Sequence, residues 1–323
     1  MRHHPKVVDL FAGAGLLSSA FVAERFRVTL AVEHNTIAAE TYRSNIGDHI
    51  LVGDINSLEP SGECDVLVAG PPCQGFSTLG KRDKADPRNR LSLKVGVWAA
   101  ALLPKIVVVE NVPTFLNSTY WSSLKASLES LGYVTSTVVL NAADYGLPQI
   151  RRRCFAFASR VGVPQIEPPR RTPPATVREA WTGLSPTPTG ENGHFAPAPG
   201  RLAMARMRVI PPGGDKRDVM RAAPELAPPS WWKIRGEATD VWGRMLWDEP
   251  CNTLRTALLN ASKGRYIHPE QDRVITLREA ARLHSVRDDW RFAGTPYQVA
   301  RQIGNGVPPA LGRVVARAVM GCL

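Results

Sequence analysis

Short apolar runs separated by helix-forming stretches fill the first half of this 323-residue chain, and they constrain its fold more than any other feature. Residues 6–11 (KVVDLF), 28–32, 50–52 and 66–69 read as strands, as do 105–109, 133–140 and 154–158. A helix begins over 16–21, and others are expected at 36–45, 91–103 and 121–131. The runs are bounded by glycine, proline or polar residues, and 66–69 reads as a buried strand. Such strands alternating with helices build an α/β fold with a doubly wound, mostly parallel sheet. In that arrangement ligands lie beyond the carboxyl ends of the strands, so the residues just after each run carry the functional signal.

After the first strand comes Ala12-Gly13-Ala14-Gly15, a tight turn into a helix. Gly13 and Gly15 match half of a dinucleotide fingerprint, with Ser18 where the third glycine would stand. Glu33 ends the second strand, about 20 residues past the first glycine, where such folds hold a ribose hydroxyl. This combination suits a nucleoside cofactor without phosphates; an ordinary strand-to-helix turn is the plainer alternative. Asp54 follows the third strand, either as a turn former or as a contact to an adenine amino group.

The fourth strand runs into Gly70-Pro71-Pro72-Cys73-Gln74-Gly75-Phe76-Ser77. Glycine and two prolines end the strand and present one thiol, Cys73, at its tip. A lone cysteine is usually a buried structural residue. Here the other strand ends supply matching groups. The strand 105–109 ends in Glu110, whose carboxyl burial would push up in pKa and suit to proton donation. Arg151, Arg152 and Arg153 lead into the last strand; alternate residues share a face, so Arg151 and Arg153 are expected to point together into the cleft.

The segment 80–90 is basic and aperiodic, either a solvated loop or a lid that meets phosphates. From about residue 166 prolines break the chain, and Trp181, Trp231, Trp232, Trp242 and Trp247 fall among basic residues. This is a second, smaller, loop-rich unit, either a structural domain or a nucleic-acid reading surface. Within it Thr253, Arg255, Thr256, Asn260, Lys263 and Arg265 gather between Trp231 and Arg273. The formal net charge of +11 favours a polyanionic partner, nucleic acid first. The five cysteines are scattered without CxxC spacing, so neither a structural zinc nor a disulfide framework is expected. No apolar run has membrane-span length and no leader is recognisable, which points to the cytoplasm. Residues 275–284 read as an amphipathic packing helix. The glycines and prolines of 302–309 give a backbone able to approach a ligand closely, ahead of a last helix at 310–320.

In order and nearly end to end, DLFAGAG, EHN, GDI, GPPCQGFS, DPRNRL, ENV, QIRRR, REAARL and GNGVPP resemble the DNA cytosine-5 methyltransferases of bacterial restriction-modification systems. The resemblance implies a Rossmann-like S-adenosylmethionine-dependent methyltransferase domain over 1–175 and a target-recognition domain over 176–292, in which Thr253, Arg255, Thr256, Asn260, Lys263 and Arg265 are the candidates to read bases. A C-terminal segment, 293–323, would return to the first domain. S-adenosylmethionine would be the methyl donor, S-adenosylhomocysteine the product, and the target a cytosine flipped out of double-stranded DNA. On this resemblance Cys73 attacks ring carbon 6, and Glu110 holds ring nitrogen 3 and the exocyclic amino group. Arg153, supported by Arg151, binds the base carbonyl oxygen. Phe11 packs on the adenine, Gly13 and Gly15 form the cofactor turn, Glu33 takes the ribose hydroxyls and Asp54 the adenine amino group. Pro72 and Asn305 lie near cofactor and base. No metal is implied. A single chain carries both parts, so a monomer is implied, and a cognate endonuclease need not be bound.

Two positions depart from the family pattern. Leu16 replaces a glycine of DLFxGxGG, and Val286-Arg287 replaces the usual Phe-Pro after REAARL. Competing readings are an RNA substrate, a DNA-binding protein that no longer catalyses, and, more distantly, a nicotinamide oxidoreductase, which the broken glycine fingerprint and the PPCQ loop do not fit.

Overall fold

The computed structural model describes residues 4–72, 87–169, 173–233 and 240–323. The chain divides into two compact units. The first comprises Met1–Asn141, Arg152–Arg170 and Gly306–Leu323; the second comprises Ala142–Arg151 and Arg171–Asn305. The boundaries therefore fall elsewhere than at 175 and 292. Residues 142–151 leave the first unit, 152–170 return to it, and after 171 the chain rejoins it at Gly306, because the helix ending at Asn305 packs in the second unit.

In chain order the strands of the first unit are β1 (Lys6–Leu10), β2 (Arg27–Glu33), β3 (Ile50–Val52), β4 (Val66–Ala69), β5 (Ile106–Asn111) and β6 (Val134–Asn141). A short strand of the second unit, β7 (Gln149–Ile150), precedes β8 (Arg152–Ser159), which closes the first unit's sheet. The sheet order is β3-β2-β1-β4-β5-β8-β6. The β3, β2, β1, β4 and β5 strands are parallel neighbours, while β8 runs antiparallel to both β5 and β6. The strand order reverses between β1 and β4, so their carboxyl ends flank the switch-point crevice where such sheets bind ligands. One crevice wall is the Gly13–Gly15 turn; the other is the start of the Cys73 loop.

Helices α1 (Leu16–Ala23), α2 (Thr36–Asn45), α3 (Lys94–Leu102) and α4 (Thr119–Ser130) follow the strands as the sequence leads one to expect. The helix expected over 91–103 is shorter, since Pro87–Leu93 forms a tighter 3-10 turn first. On one face of the sheet Leu10, Leu67, Val107 and Val109 pack with Trp98, Trp121 and Leu124 of α3 and α4 into a dry core.

In the second unit lie α5 (Val177–Ala180), α6 (Arg201–Val209), α7 (Lys216–Ala222), α8 (Pro229–Lys233), α9 (Leu277–Leu283) and α10 (Pro296–Asn305), with the short strand β9 (Cys251–Asn252) parallel to β7. Helix α9 is the REAARL segment, started by a capping box between Thr276 and Glu279. Its Arg278 is buried and donates to the carbonyls of Asn192, Arg287 and Trp290. Val286 is buried and Arg287 contributes its carbonyl, so the non-family pair is accommodated in the packing around α9. The last helix, α11 (Pro309–Met320), packs on α1 in the first unit. A Cβ on Gly312 would come within 2.7 Å of the Ala20 Cβ, so glycine permits this close crossing.

Candidate active site

Beyond β1, Phe11 takes a left-handed backbone with φ of 62°, unfavourable for a residue with a Cβ by roughly 1–2 kcal/mol. Hydrogen bonds on either side hold it there. The Gly70 N–H donates to the Leu10 carbonyl (3.2 Å), and the Ala12 N–H donates to the Val32 carbonyl (3.0 Å). Gly13 and Gly15 follow with φ of 56° and 84°. A Cβ on Gly15 would come within 2.9 Å of the Tyr42 ring, so this position needs glycine for both conformation and space.

Glu33 braces the turn. Its Oε2 accepts from the Gly13 N–H (2.8 Å) and its Oε1 from the Asn35 N–H (2.7 Å). Each oxygen keeps acceptor capacity for a further donor. Asp54 is exposed; its Oδ1 accepts from the backbone and side-chain nitrogens of Asn56 (2.9 and 3.0 Å), while its Oδ2 has no hydrogen bond among the described residues. Leu16, which replaces a family glycine, opens α1 as a buried core side chain.

One polar group here was missed by sequence reasoning. Asp9 is buried in β1 and accepts from Ser18 Oγ (2.5 Å). Burial, aided by the nearby Glu33 charge and opposed by the Ser18 hydrogen bond, pushes its pKa up to about 7. The signal was legible: an acid set inside the apolar run of a doubly buried strand.

On the other side of the crevice, Glu110 is buried one residue before the end of β5, and Arg153, near the start of β8, places its Nε 3.0 Å from Glu110 Oε1. Sequence reasoning considered only burial for this carboxyl; the structure adds an arginine partner. A Cβ on Gly70 would lie 3.7 Å from Glu110 Oε2 and 4.0 Å from the Phe11 carbonyl oxygen. Gly70 thus stands between the cofactor-type turn and the acid. Asn111 Nδ2 donates to the Pro71 carbonyl (3.2 Å), tying β5 to the residues that lead to Cys73. Pro72 is half-buried; Cys73 and the rest of the loop through residue 86 lie outside the described residues. The neighbouring Cys154 thiol donates to the Val112 carbonyl, and burial, reinforced by the Glu110 charge, pushes it up to about 12. It stays a thiol at neutral pH.

Arg151 departs from expectation. Strand β8 begins at Arg152, so the alternation argument does not reach Arg151. Its side chain is wholly buried in the second unit, donating to the carbonyls of Leu254 (2.9 Å) and Gly304 (2.8 Å). Gln149 beside it donates to the Leu283 carbonyl (3.2 Å). Asn305 is the exposed last residue of α10 in the same unit.

Among the candidate base readers, Arg255 is engaged with Asp240 and the Lys263 carbonyl. Arg265 is engaged with the carbonyls of Gly213, Gly214 and Arg244, and Thr253 with that of Ile150. Thr256, Asn260 and Lys263 are exposed. Of the tryptophans, Trp181, Trp231 and Trp242 are buried packing residues, whereas Trp232 is 56% exposed. Among the described residues no group of His, Cys, Asp or Glu is placed to hold a metal ion, and no helix is long and apolar enough to cross a membrane.

A mostly parallel sheet with a switch point between β1 and β4, a GxG turn braced by a strand-end acid, and no third glycine define a Rossmann-like methyltransferase fold with a second, smaller, loop-rich domain. The solved structure of the Entamoeba histolytica methyltransferase EhMeth has that fold, with a TM-score of 0.73 at 16% identity over 99% of each chain. The C-5 cytosine-specific DNA methylase family matches residues 5–187 and 217–321. The type II methylase M.HgiDII of Herpetosiphon aurantiacus is 34% identical over 97% of this chain and 94% of its own length. The type II methyltransferase M1.HphI of Haemophilus parahaemolyticus is 32% identical over 97% and 86%. The chain belongs to the C-5 cytosine-specific DNA methylase family and is a DNA cytosine-5 methyltransferase.

Proposed function

We propose that this enzyme transfers a methyl group from S-adenosylmethionine to ring carbon 5 of a cytosine flipped out of a specific duplex DNA sequence, through a covalent adduct with Cys73. On this reading it acts as a monomer in the cytoplasm, where its substrate lies, as the modification enzyme of a restriction-modification system. The type II naming of its relatives supports that role. The observation that carries the chemistry is the buried Glu110–Arg153 pair beside Gly70, the residue that opens the Cys73 loop.

The donor fits the first unit. Phe11 offers a ring at the switch point, Glu33 keeps acceptor capacity for ribose hydroxyls, and Asp54 Oδ2 is open to an adenine amino group. The turn lacks the third glycine that would bring a pyrophosphate onto the helix, as suits a donor without phosphates. S-adenosylmethionine supplies an electrophilic methyl group on a sulfonium. Gly13, Gly15 and Pro72 shape the cofactor site, and Asn305 is assigned beside the base.

Carbon 5 of cytosine is a poor nucleophile until a thiolate adds at carbon 6. The Cys73 thiolate forms that bond while Glu110 holds ring nitrogen 3 and the amino group and delivers a proton to the nitrogen. Arg153 binds the carbonyl oxygen, with Arg151 assigned a supporting role. The resulting enamine carbon accepts the methyl group. Loss of the carbon 5 proton to a base then expels Cys73 and restores the aromatic ring. Flipping the base costs a few kcal/mol, recovered by pocket contacts.

The test begins with methylation of mixed genomic DNA, read at base resolution to find the target. A duplex with 5-fluorocytosine there should trap a protein–DNA adduct that survives denaturation, because fluorine cannot leave as a proton does. Cys73→Ala should abolish both trapping and turnover while leaving DNA affinity within a few-fold. Substantial turnover by Cys73→Ala would remove Cys73 as the nucleophile.

A further inference from the structure

The amino-terminal ends of the first three strands of the sheet edge carry a cluster that the proposed chemistry does not use. Lys6 opens β1, Arg27 opens β2 directly opposite it in register, and His49 immediately precedes β3. With His4 they line a cavity of about 480 Å³ together with the apolar Val22, Phe26 and Ile46. That volume lies within the range of small-molecule sites, about 300–1,000 Å³. Catalytic groups lie at the carboxyl ends of these parallel strands, so this is a separate site within the same unit.

The rim is not electrostatically balanced. Lys6 is paired with Glu63, and His4 Nδ1 meets the Arg25 carbonyl (2.6 Å). His49 Nε2 meets the Tyr42 hydroxyl (3.0 Å), and nearby Asp48 is engaged by Arg43 (3.0 Å). The Arg27 guanidinium has no hydrogen bond or ion pair among the described residues. Burial and the Arg27 charge hold the His49 imidazole below its usual pKa, with Asp48 opposing. An anion seated between Arg27 and His49 would relieve that repulsion and bond to both.

We propose that this cavity binds an organic phosphomonoester, with its phosphate on Arg27, Lys6 and His49 and its apolar body on Phe26, Val22 and Ile46. Three donors on three adjacent strands match three terminal phosphate oxygens, and arginine matches phosphate geometry best. His49 is also hydrogen-bonded to Tyr42, whose ring lies under Gly15, so the cavity reaches the glycine turn through one side chain.

Calorimetric titration of the full-length protein with phenyl phosphate tests this, with inorganic phosphate as the second arm. Saturable binding of phenyl phosphate is expected, several-fold tighter than inorganic phosphate because of the ring. Arg27→Gln should weaken it about tenfold or more, since a charge-assisted hydrogen bond is removed. His49→Gln, which can still bond Tyr42, should weaken it less. Arg27 is exposed, so its variant is expected to fold, and circular dichroism checks this. No saturable binding up to about 10 mM, in the range of the weakest specific affinities, overturns the proposal. So does unchanged affinity in folded Arg27→Gln, or equal affinity for inorganic phosphate. Displacement of phenyl phosphate by a duplex oligonucleotide would also overturn it, making the cluster part of a nucleic-acid face.

Discussion

Arg153 Nε lies 3.0 Å from Glu110 Oε1, with both side chains nearly excluded from water, across the antiparallel neighbours β5 and β8. The pair serves two ends. It cancels a charge that burial would make costly, and it orients a carboxylate toward the crevice at the ends of β4 and β5.

Removing either partner therefore tests chemistry and stability together. Glu110→Gln should cut single-turnover methyl transfer about 10²–10⁴-fold, the usual range for a lost acid–base group, and should lower the unfolding midpoint because Arg153 loses its counter-charge. Arg153→Ala should also suppress transfer, and should cost up to about 3–5 kcal/mol by removing the counter-charge of a buried carboxylate. Methyl transfer from labelled donor and urea unfolding of both variants check this. A stable, fully active Arg153→Ala would remove the arginine from the site.

Asp9 makes stability depend on pH in a defined direction. Its pKa is about 7 when folded against 3.8 for the free side chain. Between those values the folded state holds a proton that the unfolded state has released. Asp9 thus stabilises the fold below about pH 4; that contribution is lost as pH rises through about 7 and then levels off. Asp9→Asn, which still accepts from Ser18, should flatten this slope and be the more stable protein at pH 8. Urea midpoints of both proteins across that range give the answer; parallel curves would show that Asp9 does not titrate this way.

Arg151 acts on the second unit. Its guanidinium satisfies the carbonyls of Leu254 and Gly304 in a dry interior. Arg151→Ala strands those groups, at about 1–3 kcal/mol each. Lower protection of amides around residues 254 and 304 in hydrogen exchange is the expected outcome.

Gly15→Ala adds a methyl group within 2.9 Å of Tyr42 at a φ of 84°. Strain of roughly 1–2 kcal/mol at such a position should distort the turn. The affinity for S-adenosylhomocysteine, followed by calorimetry, should drop while Cys73 reactivity toward 5-fluorocytosine DNA at saturating cofactor falls less. Unchanged affinity would take Gly15 out of the cofactor turn.

Much of the first unit was legible along the chain because its central strands β4 and β5 are buried and read as apolar runs, and the others are short runs bounded by turn signals. Glu33 and Glu110 were visible as the acids that end such runs. Arg151 was misread because the alternation rule holds only inside one strand, and the strand starts one residue later. Most of the second unit's tryptophans could be read equally well as packing or as a nucleic-acid surface. Only burial separated Trp181, Trp231 and Trp242 from exposed Trp232.

The doubly wound sheet, the family and the order of the strand-end groups were all readable along the chain, since these depend on local periodicity and on linear motifs. Tertiary structure alone decided which charges meet. The Glu110–Arg153 pair joins residues 43 positions apart in the chain, and Arg151 serves carbonyls more than 100 positions away. Pairings of that kind depend on strand order and register, which a linear pattern does not encode, and on burial, which makes each unpaired charge or carbonyl too costly to leave alone.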